Sequence, residues 1–155
     1  MQRKYRLLRE AAYKDGLESF DRLAAEPGFR DFVCLYIAEG YKRDRNSVAI
    51  CNSDHAVLKL ALGWIRRLTA KQPSFSIQYH CDQDLAELLA FWGGTLGIGA
   101  EAIRFQRKSN SGQLQGRQWR CRYGVLTVRV HDTYFRTRIE AWINRLKSEW
   151  AHKPG

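Results

Sequence analysis

From Ala102 to His131 the chain carries no Asp or Glu, while Arg104, Arg107, Lys108, Arg117, Arg120, Arg122 and Arg129 bring seven positive charges. Within that stretch Ile103 and Phe105 alternate with Arg104 and Gln106, and Leu126, Val128 and Val130 alternate with Thr127 and Arg129. A two-residue period is that of a half-buried strand, so two strands are predicted, apolar on one face and basic on the other. Between them lies Ser109–Gln118, SNSGQLQGRQ, a polar loop whose amides and guanidinium can reach phosphates or base edges. A basic face is often only a solvated face. Here it spans two strands and the loop that joins them, which weighs toward contact with phosphate.

Composition sets the partner class. The 155 residues fit one domain, and 45% apolar residues with only three Pro can bury a real core, which excludes disordered, collagen-like and linker classes. Lys and Arg number 26 against 16 Asp and Glu, a formal +10, and such a chain is drawn to polyanions, nucleic acid foremost. Cys34, Cys51, Cys81 and Cys121 lie far apart with no CxxC pair, so neither a zinc ribbon nor a disulfide framework fits. Reduced, buried thiols in a cytosol are the expectation. No apolar run approaches the roughly 18 to 20 residues of a membrane span, and charges fill MQRKYRLLREAAYKDG where a signal peptide is apolar. No membrane partner is expected, and the cytoplasm is the expected location, with nucleoid association through DNA.

Residues 3–26 read as a weakly amphipathic helix, broken near Gly16 and ended by Glu26-Pro27-Gly28. Residues 1–28 are therefore expected to form an appendage and residues 29–150 the functional domain. Phe32–Ala38 is a short apolar helix closed by Glu39 and Gly40, with Asp31 a plausible N-cap. A polar, basic hairpin tip, Tyr41–Asn46, leads into a strand, Ser47–Asn52, and Ser53 or Asp54 then caps a long helix. Val57, Leu60, Ala61, Trp64, Ile65 and Leu68 form the stripe of that helix. Ser74–Cys81 alternates as a strand. Asp84–Phe91 is a helix stopped by Gly93-Gly94, whose glycines close a helix rather than open one and so do not form a phosphate loop. After the basic strand pair, Asp132 caps a last helix with Phe135, Ile139, Trp142, Ile143, Leu146 and Trp150 as its stripe. The order of elements is that of an α+β chain.

The nonapeptide FVCLYIAEG, Phe32–Gly40, has eight mostly apolar or small residues with an acid in the penultimate place, then Gly, followed by an aromatic. It resembles the LAGLIDADG motif, and the succession of elements from Phe32 to Leu146 is similar to the αββαββα saddle of LAGLIDADG homing endonucleases. The resemblance implies that saddle, with an antiparallel sheet and one extra strand and helix around Ser74–Cys81. Cys34 stands where the family often has Gly, and Ile37 where it often has Asp. A single motif in the chain implies a homodimer through the Phe32–Gly40 helix, each subunit bringing Glu39 and Gly40 to a site for Mg²⁺ or Mn²⁺. Two carboxylates brought together repel unless cations lie between them, and Mg²⁺ accepts such hard oxygens while keeping water and phosphate ligands. Without that context, Glu39 is a solvated carboxylate at a helix end, placed unfavourably in the helix dipole.

By the same resemblance Arg129 or His131, at the junction of the last strand and last helix, assists the attacking water or the phosphate. Asn52 and Ser53 occupy the place of a water-organising amide or hydroxyl, although turn and cap chemistry explains both. DNA readout falls to Lys42, Arg43 and Arg45 on the first hairpin. On the second it falls to Arg104, Gln106 and Lys108, with Arg117, Gln118, Arg120 and Arg122 beyond them; Arg suits guanine and Gln suits adenine. Trp119 and Tyr123 are read as packing rather than base-stacking residues.

The leading expectation is a site-specific, metal-dependent double-stranded DNA endonuclease, acting as a homodimer on a long pseudo-palindromic site. A DNA-binding regulator that keeps the saddle and has lost the chemistry is the alternative. An RNA-binding or intron-maturation factor would use the same basic sheet on folded RNA.

Overall fold

In the computed structural model, which describes residues 2–107 and 121–152, the chain opens with one uninterrupted helix, α1 (Gln2–Ala24). It is not broken at Gly16. There α1 crosses the last helix, α5 (Thr133–His152), so closely that a Cβ on Gly16 would stand 2.7 Å from the Ala141 Cβ and 3.0 Å from the Arg138 carbonyl oxygen. The two helices run side by side in the same direction. Tyr134 bonds Asp15 at 2.8 Å, the Trp142 indole N–H donates to the Gly16 carbonyl at 2.9 Å, and Arg145 pairs with Asp21 at 3.3 Å. The expected boundary after residue 28 falls in the turn between helices, while Phe20 and Leu23 of α1 are buried in the same core as Phe29 and Trp142.

The second helix, α2 (Phe29–Glu39), starts after Gly28, so Asp31 sits inside its first turn rather than at the N-cap. Strand β1 (Ser47–Asn52) follows, and Asp54, not Ser53, caps α3 (His55–Leu68), accepting from the Ala56 amide at 2.9 Å. The buried side of α3 is Leu58, Ala61, Leu62, Trp64 and Ile65, a stripe turned slightly from the expected one. Strand β2 (Ser74–Tyr79) leads to α4 (Leu85–Leu96), which continues through Gly93 and Gly94 and ends at Gly97, φ 65°. Leu88, Trp92 and Leu96, four apart and buried, hold that helix together across its glycines. A single 3-10 turn, Ala100–Ala102, precedes β3 (Ile103–Arg107), and β4 (Val125–His131) runs into α5. The Asp132 carboxylate accepts from the Phe135 amide at 3.0 Å, as its expected capping role requires. Trp150, expected on the apolar stripe of α5, is 47% exposed because it lies beyond the core.

The chain is α+β, and the described strands form one sheet in the order β1-β4-β2-β3. β4 is antiparallel to both β1 and β2, but β2 and β3 are parallel. The expected antiparallel sheet is therefore mixed, and the two basic strands are not neighbours. β2, expected as an addition to the sheet, lies between them. Its Phe75 and Ile77 are buried and earn a central place, and α4 supplies the long crossover that a parallel pair needs. Ahead of β1, the expected first hairpin is reduced to one bridge, Gly40 to Ile50, with the Tyr41 amide donating to the Ala49 carbonyl at 2.8 Å.

Register divides the sheet cleanly. Val48 and Ile50, Val128 and Val130, Phe75 and Ile77 share the face on which α2, α3 and α5 pack, and all six are buried. Every residue between them points the other way. The four cysteines, expected buried, are all exposed and free. None of the described helices is long and apolar enough to cross a membrane.

Candidate nucleic-acid interface

The side of the sheet away from the helices carries two cross-strand rows. Cys51, Thr127, Ser76 and Arg104 form one, and Val125, Gln78 and Gln106 the next. Arg129, between Ala49 and Ser74, flanks the first row, and His131 lies opposite Ser47 at the strand end. Arg104, Gln106 and His131 are exposed, and Thr127, Arg129, Ser76 and Gln78 half-buried. The alternation of basic and apolar residues thus yields a polar, positively charged face, although through strands paired differently from the expected hairpin. Ser76 and Gln78 of β2 join this face beyond the residues that the sequence pattern assigns to it. Their signal is the polar half of the β2 alternation, readable only once β2 is known to lie between β4 and β3.

Arg129 is held in place rather than free. Its guanidinium donates to the Ser47 hydroxyl at 3.3 Å and lies 5.7 Å from the centre of the Tyr41 ring. Arg43 and Arg45 are exposed on the 41–46 loop. Asp44 organises that loop, accepting from the Asn46 amide at 2.8 Å and the Ser47 hydroxyl at 2.7 Å. Those two bonds, the Ser47 bond first, hold its carboxyl below the ordinary carboxylate range. Lys108, Arg117, Gln118 and Arg120 lie outside the described residues. Arg122, in the turn before β4, faces Glu87 at 3.6 Å and the Tyr123 ring. Tyr123 is stacked on Phe91 with ring centres 3.8 Å apart, in keeping with a packing role.

The motif helix ends at the border of this face. Tyr36 locks it there: its hydroxyl donates to the Tyr41 carbonyl at 2.7 Å and accepts from the Ala49 amide at 3.3 Å. Burial pushes the phenol above its ordinary value, with Arg136 opposing. Gly40 has ordinary extended geometry, yet a Cβ there would meet the Tyr36 ring and carbonyl at 2.5 Å. Glycine at this place thus serves the close turn over Tyr36. Glu39, the last residue of α2, is exposed and makes no ion pair or side-chain hydrogen bond with the described residues.

Lys42 is engaged differently from the expected DNA contact. Its ammonium donates to the carbonyls of Ile37 and Gly40 at 2.8 Å and of Tyr36 at 3.4 Å, covering the negative end of α2. Asn52 makes a turn, its side-chain oxygen accepting from the Asp54 amide at 2.8 Å ahead of α3. Among the described residues no three His, Cys, Asp or Glu side chains gather as a metal site within one chain. The face of α2 turned from the core carries exposed Asp31, Cys34 and Ala38 with half-buried Leu35.

The fold and this face together define an α+β domain whose outer sheet surface, covered at β1 where Ser47 and Ala49 are buried, is open, basic and amide-bearing across β4, β2 and β3. No family model, no curated protein and no solved structure matches the chain.

Proposed function

We propose that the chain binds double-stranded DNA on the open face of its sheet as a homodimer, and that it cuts the bound duplex with the help of Glu39 and Mg²⁺ or Mn²⁺. The observation that carries the reading is the strand register. It gathers Arg104, Gln106, Gln78, Thr127 and Arg129 on one outward surface, at whose β1 border α2 ends in Glu39, exposed and without an ion pair among the described residues. Arg and Gln side chains rising from strands suit base edges of a major groove, and the surrounding cations suit phosphates. The small outward residue Ala38 would ease the close approach of two copies of α2 that the resemblance to LAGLIDADG proteins implies, while Cys34, where the family often has Gly, would widen the seam.

Among the described residues no three ligands of one chain gather for a divalent ion, so the ion would be held by Glu39 of each subunit together with phosphate and water oxygens. Such an ion supplies an activated water and neutralises charge on the phosphate under attack. Arg129, fixed by Ser47 and Tyr41, would orient a backbone phosphate, and His131 at the strand end could hold or release a proton. The Gly40 carbonyl fits the ion less well, because the Lys42 ammonium is already on it.

That last contact favours a second reading, a DNA-binding regulator without chemistry. An ammonium built onto the α2 carboxyl end supplies in permanent form the positive charge that a metal would bring.

The experiment selects bound duplexes from a random library and incubates the winners with Mg²⁺ or Mn²⁺. Cleavage that Glu39→Gln reduces by at least about 100-fold, with site binding retained, is the expected result. Binding with no metal-dependent cutting leaves the regulator. Cutting by Glu39→Gln at the wild-type rate removes Glu39 from the chemistry.

A further inference from the structure

Away from the open face, α1, α5 and the 41–46 loop enclose a cleft of 320 Å³ lined by Arg9, Lys42, Arg45, Arg136, Thr137 and Glu140. Four of these six side chains are cationic and one is acidic. Arg136 is only 4% exposed. One end of its guanidinium donates to the Glu140 carboxylate at 3.0 Å and the other to the Lys42 carbonyl at 3.2 Å, and it lies 5.7 Å from the Tyr36 ring centre. Its Nε, like that of Arg9 on the facing helix and that of Arg138 outside the cleft, is buried and makes no hydrogen bond among the described residues. Three guanidinium groups and one ammonium thus meet a single carboxylate in the lining, a net positive charge that favours an anionic occupant. Glu140 is 46% exposed and balances one cation of the four. Lys42 is committed to the end of α2, so Arg9, Arg45 and Arg136 are the donors that face an incoming group.

We propose that this cleft is a binding site for a phosphate group. A tetrahedral oxyanion offers several acceptors to guanidinium donors converging from different elements, which is the geometry in which Arg binds phosphate well. With a water occupying about 30 Å³ of liquid, the volume admits a phosphoryl group and several waters. The site does not depend on the open face binding DNA. Two sources carry this chemistry, the backbone phosphate of a nucleic acid and a free phosphate ester.

The test titrates the whole chain with inorganic phosphate at constant ionic strength, chloride making up the difference, and follows the arginine Nε–H resonances. Saturable shifts of the Arg9 and Arg136 signals are expected in the wild type. The Arg136 shift should be lost in Arg9→Gln and weakened several-fold in Arg45→Gln. Because Arg136 is buried and its replacement puts folding at risk, the variants are on half-buried Arg9 and exposed Arg45. Shifts that never saturate, that chloride reproduces, or that survive both substitutions overturn the site. Duplex affinity against salt then separates the sources. For a backbone phosphate, Arg9→Gln lowers the slope of log K on log salt by about 0.9 and inorganic phosphate competes with duplex. For a free ester, duplex binding is unchanged while the titration stays saturable. Arg104→Gln, on the open face, should leave the phosphate titration alone. A chain that titrates phosphate but binds no duplex at all defeats the proposed function without touching the cleft.

Discussion

Single side chains in the 41–46 loop decide what the end of α2 can do. Arg43, Lys42 and Arg45 look alike in the sequence, three cations at a polar tip, and nothing local distinguishes them. The fold does, placing Lys42 on three carbonyls, Arg45 in a cleft and Arg43 in solvent. Asp44 makes that arrangement possible, because its carboxylate ties Asn46 and Ser47 to the loop. Its pKa lies below the ordinary 3.8, so the charged form is the one that the folded loop favours. The stability it contributes is therefore present above pH 3.8 and is lost only as the pH falls through the lower, folded value. Followed by the Asn46 amide shift, the loop should hold together past the pH at which an ordinary Asp is half protonated. A midpoint at or above 3.8 would contradict the two hydrogen bonds.

Among the elements, the crossing of α1 and α5 shows how a glycine misleads. Gly within a helix costs up to about 1 kcal/mol relative to Ala, so on propensity Gly16→Ala should stabilise the chain. Packing reverses the sign. The new methyl would be driven into Ala141 and the Arg138 backbone, and a loss of about 1–3 kcal/mol is expected in urea denaturation. Ala141→Gly in the same chain should recover part of it. A stabilised Gly16→Ala would mean that the helices do not meet so closely. The parallel pairing of β2 and β3 was beyond the reach of local pattern for a related reason. The alternation of Phe75 and Ile77 says that β2 has a buried face, but not which strands lie on either side of it.

For the molecule as a whole, the outward side of α2 and the open side of the sheet are the surfaces that the proposed dimer would use. Ala38 is exposed there, next to Cys34 along the helix. An arginine at that position would set a like charge against itself across a two-fold axis. Sedimentation should find wild type at twice the mass of Ala38→Arg, with the variant still folded. Equal masses would remove α2 as the seam and, with it, the meeting of two Glu39 side chains.

The sequence by itself determined the α+β class, the approximate place of most elements, the cap Asp132, the strand faces and the positive charge of one of them. All of these follow from periods and short-range hydrogen bonds that neighbouring residues carry. Strand order, the parallel pair, the close contact at Gly16 and the commitment of Lys42 were decided only by the tertiary structure. Each is a meeting of segments distant in the chain, or a competition among carbonyls and carboxylates for one cation, and no residue type or spacing records which contact prevails.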